Sequence, residues 1–115
     1  MKVFNRSLGI INEDRAVNYL KSKKYRIVER NYVNKLGEID IIAVKDGVIV
    51  FVEVKYRTTA MFGYGREAID DNKIWKIRKV ATQYLIESGI YGKNDIRFDV
   101  IDILDDKITH IENAF

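Results

Sequence analysis

The sequence predicts a mixed α/β fold, one β-sheet flanked by helices in the order α-β-β-β-α-β-β, from three observations. Ile41-Ile42-Ala43-Val44-Lys45 and Val48-Ile49-Val50-Phe51-Val52 are β-rich apolar segments joined by Asp46-Gly47, the dipeptide that best closes a two-residue hairpin. Two longer stretches carry apolar residues at helical spacing instead. The strand after the hairpin is followed by a helix and then another strand, an order whose default is a right-handed crossover to a parallel neighbour.

The first helix is expected over about Arg6 to Ser22, with Ala16, Val17 and Leu20 on its buried stripe and basic residues Lys21, Lys23 and Lys24 at its C-terminal end. Tyr25 to Val33 reads as a strand beside the hairpin. Tyr56 to Ile69, with Thr58, Thr59 and two glycines, has little periodicity and reads as a substrate-contacting loop. Asp70-Asp71 offers an N-cap to a second helix reaching about Ser88, with Ile74, Ile77, Ala81, Tyr84 and Leu85 as its stripe and Gly89 as its stop. Ile96 to Leu104 and Ile108 to Ile111 read as strands around an Asp105-Asp106 turn.

The chain has 115 residues, the size of one domain spanning 1–115. With no cysteine it has no disulfide, thiolate metal site or cysteine nucleophile. Met1 to Gly9 lacks the apolar core of a secretory signal, and Val48 to Val52, the longest apolar run, is far too short to span a membrane, so a cytoplasmic location without membrane partners is expected. One histidine, His110, leaves no HExxH pair and reads as an exposed or partly packed residue of a terminal strand. Gly63-Tyr64-Gly65 lacks the third glycine of a dinucleotide loop.

Chemistry concentrates around the hairpin. An Asp-Gly turn of type I′ pairs Lys45 with Val48, so opposed residue numbers sum to 93, Asp40 faces Glu53 and Glu38 faces Lys55. Alternation then projects Glu38, Asp40, Phe51, Glu53 and Lys55 from one face. Opposed like charges are destabilising. Either Mg²⁺ or Mn²⁺, which take one or two carboxylates and leave room for water and phosphate, offsets that repulsion, or the face is solvated and Glu38 pairs with Lys55. Glu13, at the edge of the first helix's buried stripe, is either a third group near that cation or an acid favoured by the helix dipole.

Net charge is +3, distributed as +6 over residues 1–35, −3 over 36–54, +4 over 55–93 and −4 over 94–115. Basic segments therefore flank the acidic hairpin in sequence. They would draw a polyanion toward carboxylates that repel it unless a cation intervenes; solvated helix surfaces account for the same lysines.

Asp40, a twelve-residue gap and Glu53-Val54-Lys55, set in this element order, resemble the restriction-endonuclease-like PD-(D/E)XK superfamily. More closely, Gly37-Glu38-Ile39-Asp40-Ile41-Ile42-Ala43, Phe51-Val52-Glu53-Val54-Lys55-Tyr56-Arg57, Phe62-Gly63, Arg97-Phe98-Asp99-Val100 and the ending His110-Ile111-Glu112-Asn113-Ala114-Phe115 resemble the bacterial YraN-like (UPF0102) family of small endonuclease-like proteins. The resemblance implies a metal-dependent nuclease fold similar to that of Holliday-junction resolvases, which act as dimers. By position, Asp40 and Glu53 would hold Mg²⁺ or Mn²⁺, Lys55 would be the catalytic lysine, and Glu13 would match the first-helix glutamate of resolvase-like members. Ile39 stands where the superfamily's name has proline. The expected activity is phosphodiester hydrolysis, of DNA in preference to RNA, on branched or single-stranded substrates. Glu38 would support Lys55, and Arg57, Arg66 and Lys73 would clamp phosphates without reading sequence. The alternative is a nucleic-acid-binding module that keeps the fold without cutting; an interaction protein using Ile108, Ile111 and Phe115 is a third reading.

Overall fold

The computed structural model describes residues 2–59 and 70–115, the side chains of 2–7 excepted. Its elements are α1 (Lys2–Ser22), β1 (Arg26–Asn34), β2 (Gly37–Lys45), β3 (Val48–Arg57), α2 (Asp71–Glu87), β4 (Ile96–Leu104) and β5 (Lys107–Ile111). The order matches the expected one. Helix α1 starts earlier than its apolar stripe suggested, and β3 runs two residues past Lys55 into the stretch read as loop.

The hairpin forms as its turn dictates. Asp46 and Gly47 both have positive φ, 52° and 79°, as a type I′ turn requires. The β2–β3 pairs run from Lys45↔Val48 to Ile41↔Val52, every one summing to 93. The five strands lie in sequence order, antiparallel except for β3–β4, which are parallel. The crossover through α2 supplies that parallel contact.

Period-two alternation splits the core between the two sheet faces. Ile41, Ala43, Val50, Val52, Ile101 and Ile103 pack with Ala16, Val17 and Leu20 of α1. Ile42, Ile49, Phe51 and Phe98 pack with Ile77, Val80, Ala81 and Leu85 of α2. Val80 is fully buried although the expected stripe omitted it, whereas Ile74 of that stripe is only partly buried. Asp70 caps α2, its carboxylate accepting from the Lys73 N–H at 2.8 Å, and Gly89 at φ 73° ends it.

The C-terminal residues fold back onto the sheet. Phe115 packs against Phe98 at 5.3 Å between ring centroids, and Ile108 packs against the α1-side core. That removes two of the three residues offered as an apolar interaction patch; Ile111 alone stays exposed.

Candidate functional site

The β2–β3 ladder opens one pair before the acids. Beyond Ile41↔Val52, Asp40 Oδ2 accepts the backbone N–H of Val54 at 2.8 Å, and the Asp40 N–H in turn bonds the Glu53 carboxylate. Each acid is thus fixed by the other strand's backbone. The strict alternation drawn from the sequence also slips here: Ile39 joins Ile42 on the α2 side, although Ile41 lies on the α1 side.

Asp40 and Glu53 open onto a cleft of about 390 Å³ between the strand ends and α2. Glu38, Gly37 and Val54 line it from the sheet, and Lys73, Lys76, Ile77 and Val80 from the helix. Gly37 sits at φ 149°, and a Cβ there would lie 3.3 Å from Val80 Cγ2, so the residue that opens β2 also sets how closely α2 approaches. Lys73 brings an ammonium beside the acids, its Nζ 3.7 Å from Glu53 Oε2.

Both acids hold protons unusually tightly. Burial raises Asp40 to about 6, with Glu13 and Glu38 adding repulsion against the opposing effects of the Val54 N–H and Lys73. Burial also raises Glu53 to about 7, with Asp40 the next cause and Lys73 opposing. Glu53 is only 7% exposed, Lys73 stands beyond hydrogen-bond distance, and the raised pKa marks a carboxylate that is incompletely neutralised. The two titrate as a pair.

Other expected site residues are placed differently. Glu38 pairs with Val33 of β1 and lines the cleft, and Lys55 is not among the described residues lining it. Lys55 lies on β3 in parallel register with Asp102, partly buried. Glu13 is turned to the β1 edge, accepting from Asn31 Nδ2 at 2.6 Å with Arg30 Nη2 at 3.5 Å. It acts on Asp40 through its charge, and among the described residues no group of three histidine, aspartate or glutamate side chains is gathered to hold an ion. Arg57, expected as a phosphate clamp, is held by Asp102 through two hydrogen bonds of 3.0 and 3.4 Å. Arg66 and the Gly63-Tyr64-Gly65 stretch lie outside the described residues.

A polar centre on the opposite face was missed. Asp99, fully buried, accepts from Arg97 Nε at 2.8 Å and Nη2 at 2.9 Å, from His110 Nε2 at 2.7 Å and from the Asn113 N–H at 3.0 Å. His110, on the terminal strand and partly buried as expected, meets the Tyr19 hydroxyl through Nδ1 at 3.2 Å and so ties β5 to α1, a role the sequence did not show. An aspartate inside an otherwise apolar strand, Phe98 to Ile101, was the available signal.

The cleft acids, Gly37 and Asp99 all lie between residues 12 and 103. The model of the uncharacterised protein family UPF0102 matches residues 12–103. A UPF0102 protein of Sulfurihydrogenibium sp. (strain YO3AOP1) is 53% identical over 107 residues, covering 93% of this chain and 92% of the relative. One from Fusobacterium nucleatum is 51% identical over 108 residues, 94% and 90% of the two chains. One from Persephonella marina is 49% identical over 107 residues, 93% and 91%. With four-fifths of its length inside the family model and relatives matched nearly end to end, the chain belongs to the UPF0102 family.

Proposed function

We propose that the chain is a metal-dependent endonuclease of the PD-(D/E)XK type, with a restriction-endonuclease-like fold, that hydrolyses phosphodiester bonds of DNA. The observation that carries this reading is the incompletely neutralised pair Asp40 and Glu53, anchored by opposite backbones at the mouth of a cleft lined by Lys73 and Lys76.

The donor set suits Mg²⁺ or Mn²⁺, since two buried carboxylates match the one or two that these ions take from protein. Bound there, the ion supplies charge neutralisation and Lewis acidity toward a phosphoryl group. The chain's own groups do the rest. The Val54 N–H holds one oxygen of Asp40 and so aims the other. Lys73 and Lys76 attract the phosphates that flank the scissile one, acting as point charges. Lys55, two residues beyond Glu53 on the same strand, stabilises the charge that grows on the phosphoryl oxygens.

The test is cleavage of branched, flapped and single-stranded DNA with Mn²⁺ or Mg²⁺. Asp40→Asn should lower the rate by roughly 10² or more while fold and binding persist, and calorimetry should register metal binding to the wild type that Glu53→Gln loses. Cleavage by Asp40→Asn at the wild-type rate, or identical metal titrations, would reject the proposal. Because both acids must lose protons to take the ion, cleavage should rise as pH passes through about 6 to 7.

One observation favours a second reading. Lys73 sits 3.7 Å from Glu53 and offsets part of its charge without any ion, which suits a nucleic-acid-binding module that does not cut. Metal-independent DNA binding without cleavage would identify it.

A further inference from the structure

Helix α2 turns one stripe to the cleft and a different one to solvent. Lys73, Lys76, Ile77 and Val80 form the first. At 3.6 residues per turn, Lys76, Lys79 and Trp75 follow one another around the helix from the cleft rim to its outer side. Trp75 is 58% exposed and is the single tryptophan of the chain. Lys79 Nζ lies 5.1 Å from its ring centroid, which steadies the indole on the helix surface without covering it.

Leaving the largest apolar side chain in water forfeits the stabilisation its burial would give. Around it, the first ten residues of α2, Asp71 to Val80, carry Lys73, Lys76, Arg78 and Lys79 against the one acid Asp71. An exposed indole inside a positive field matches a ligand that offers both an aromatic face and regular negative charge. An unpaired base with its phosphates does so, whereas bases within a duplex have their faces covered by their neighbours.

We propose that Trp75 is a stacking platform for an unpaired base, with Lys76 and Lys79 holding the adjoining phosphates, so that the cleft receives single-stranded nucleic acid or the single-stranded arm of a branched one. The proposal rests on reading the cleft as a phosphodiester site and names its substrate class. Stacking on the outer stripe and phosphate contacts along Lys79 and Lys76 lead one strand toward Asp40 and Glu53. Sequence is not read, because every base has a π-face.

Because Trp75 is the only tryptophan, the intrinsic emission of the full chain reports it alone. In EDTA, to suppress hydrolysis, the protein is titrated with a short oligothymidylate, with a duplex of equal length and with an abasic deoxyribose-phosphate strand of equal charge. Saturable quenching by oligothymidylate, and none by the duplex or the abasic strand, is expected. Trp75→Ala should weaken oligothymidylate binding roughly tenfold while leaving abasic-strand binding unchanged, and Trp75→Phe should recover most of the loss. Binding of oligothymidylate without any change in emission, equal quenching by the duplex, or equal weakening toward the abasic strand would overturn the platform; so would unchanged emission with every strand. Since no cleavage is needed, quenching by single strands from a protein that never cuts would reject only the hydrolase reading.

Discussion

One sheet buries carboxylates on both of its faces and treats them in opposite ways. On the α1 side, burial alone would raise Asp99, but hydrogen bonds from His110 and Arg97 and from the Asn113 N–H outweigh it and hold the carboxyl below its ordinary range. On the α2 side, backbone N–H groups and Lys73 oppose the burial of Asp40 and Glu53 without outweighing it, and both acids move up. Desolvation is common to both places; the supply of donors differs. A carboxylate surrounded by donors ties α1, β4, β5 and the C-terminal residues together, while one left short of positive charge retains affinity for a cation from outside.

The largest effect should come from breaking the satisfied centre. Asp99→Ala strands the Arg97 guanidinium, the His110 ring and the Asn113 N–H, and should cost about 3–5 kcal/mol, visible as a fall in Tm of about 10 °C or more. Because the folded-state pKa of Asp99 is lowered, its contribution is present above the ordinary carboxylate range and is lost as pH falls through the depressed value. The difference between wild type and variant should therefore narrow in acid. A variant as stable as the wild type at neutral pH would erase the contrast between the two faces.

The cleft should respond with the opposite sign. Glu53 has a folded pKa of about 7 against an ordinary 4.5, so its stabilising proton is fully present below the lower value and lost as pH rises through the higher one. At pH 8 the ionised, buried carboxylate opposes folding, and Glu53→Gln should stabilise the metal-free chain by on the order of 2 kcal/mol, a gain that vanishes below about pH 4. Urea denaturation across that range measures it. A loss of stability at pH 8 would mean that Glu53, like Asp99, is already satisfied.

What the sequence disclosed about these two places follows from how local their causes are. Asp46-Gly47 carries the hairpin register within its own two residues, so the approach of Asp40 to Glu53 was legible from the turn outward. The register could not show that the ladder yields at its last step, where Asp40 exchanges a backbone partner for the Val54 N–H and Ile39 changes side. Lys73 comes to Glu53 through the crossover helix twenty residues later, and its meeting with the acid depends on how α2 packs over Gly37. The Asp99 centre is more remote still in sequence, assembling Tyr19, Arg97 and His110 from three elements, Tyr25 from the α1–β1 connection and Asn113 from the C-terminal segment. Each of those residues has an ordinary surface explanation alone.

The smallest expected effect tests the contrast at its weakest point. Lys73 lowers the pKa values of both cleft acids, but its side chain is 47% exposed and its ammonium stands 3.7 Å from Glu53, so solvent screens much of the attraction. Lys73→Gln should therefore raise the titration of the pair by a fraction of a unit, followed by carbon NMR of the side-chain carboxyls, and should change stability by less than about 1 kcal/mol. No upward shift would remove Lys73 as a counter-charge. A rise of two units or more would show that Lys73 neutralises the pair as Arg97 neutralises Asp99; the cleft would then be a closed ion pair with little left to attract a cation. A small rise keeps the two faces distinct, with the larger part of the charge on Asp40 and Glu53 still available to a ligand.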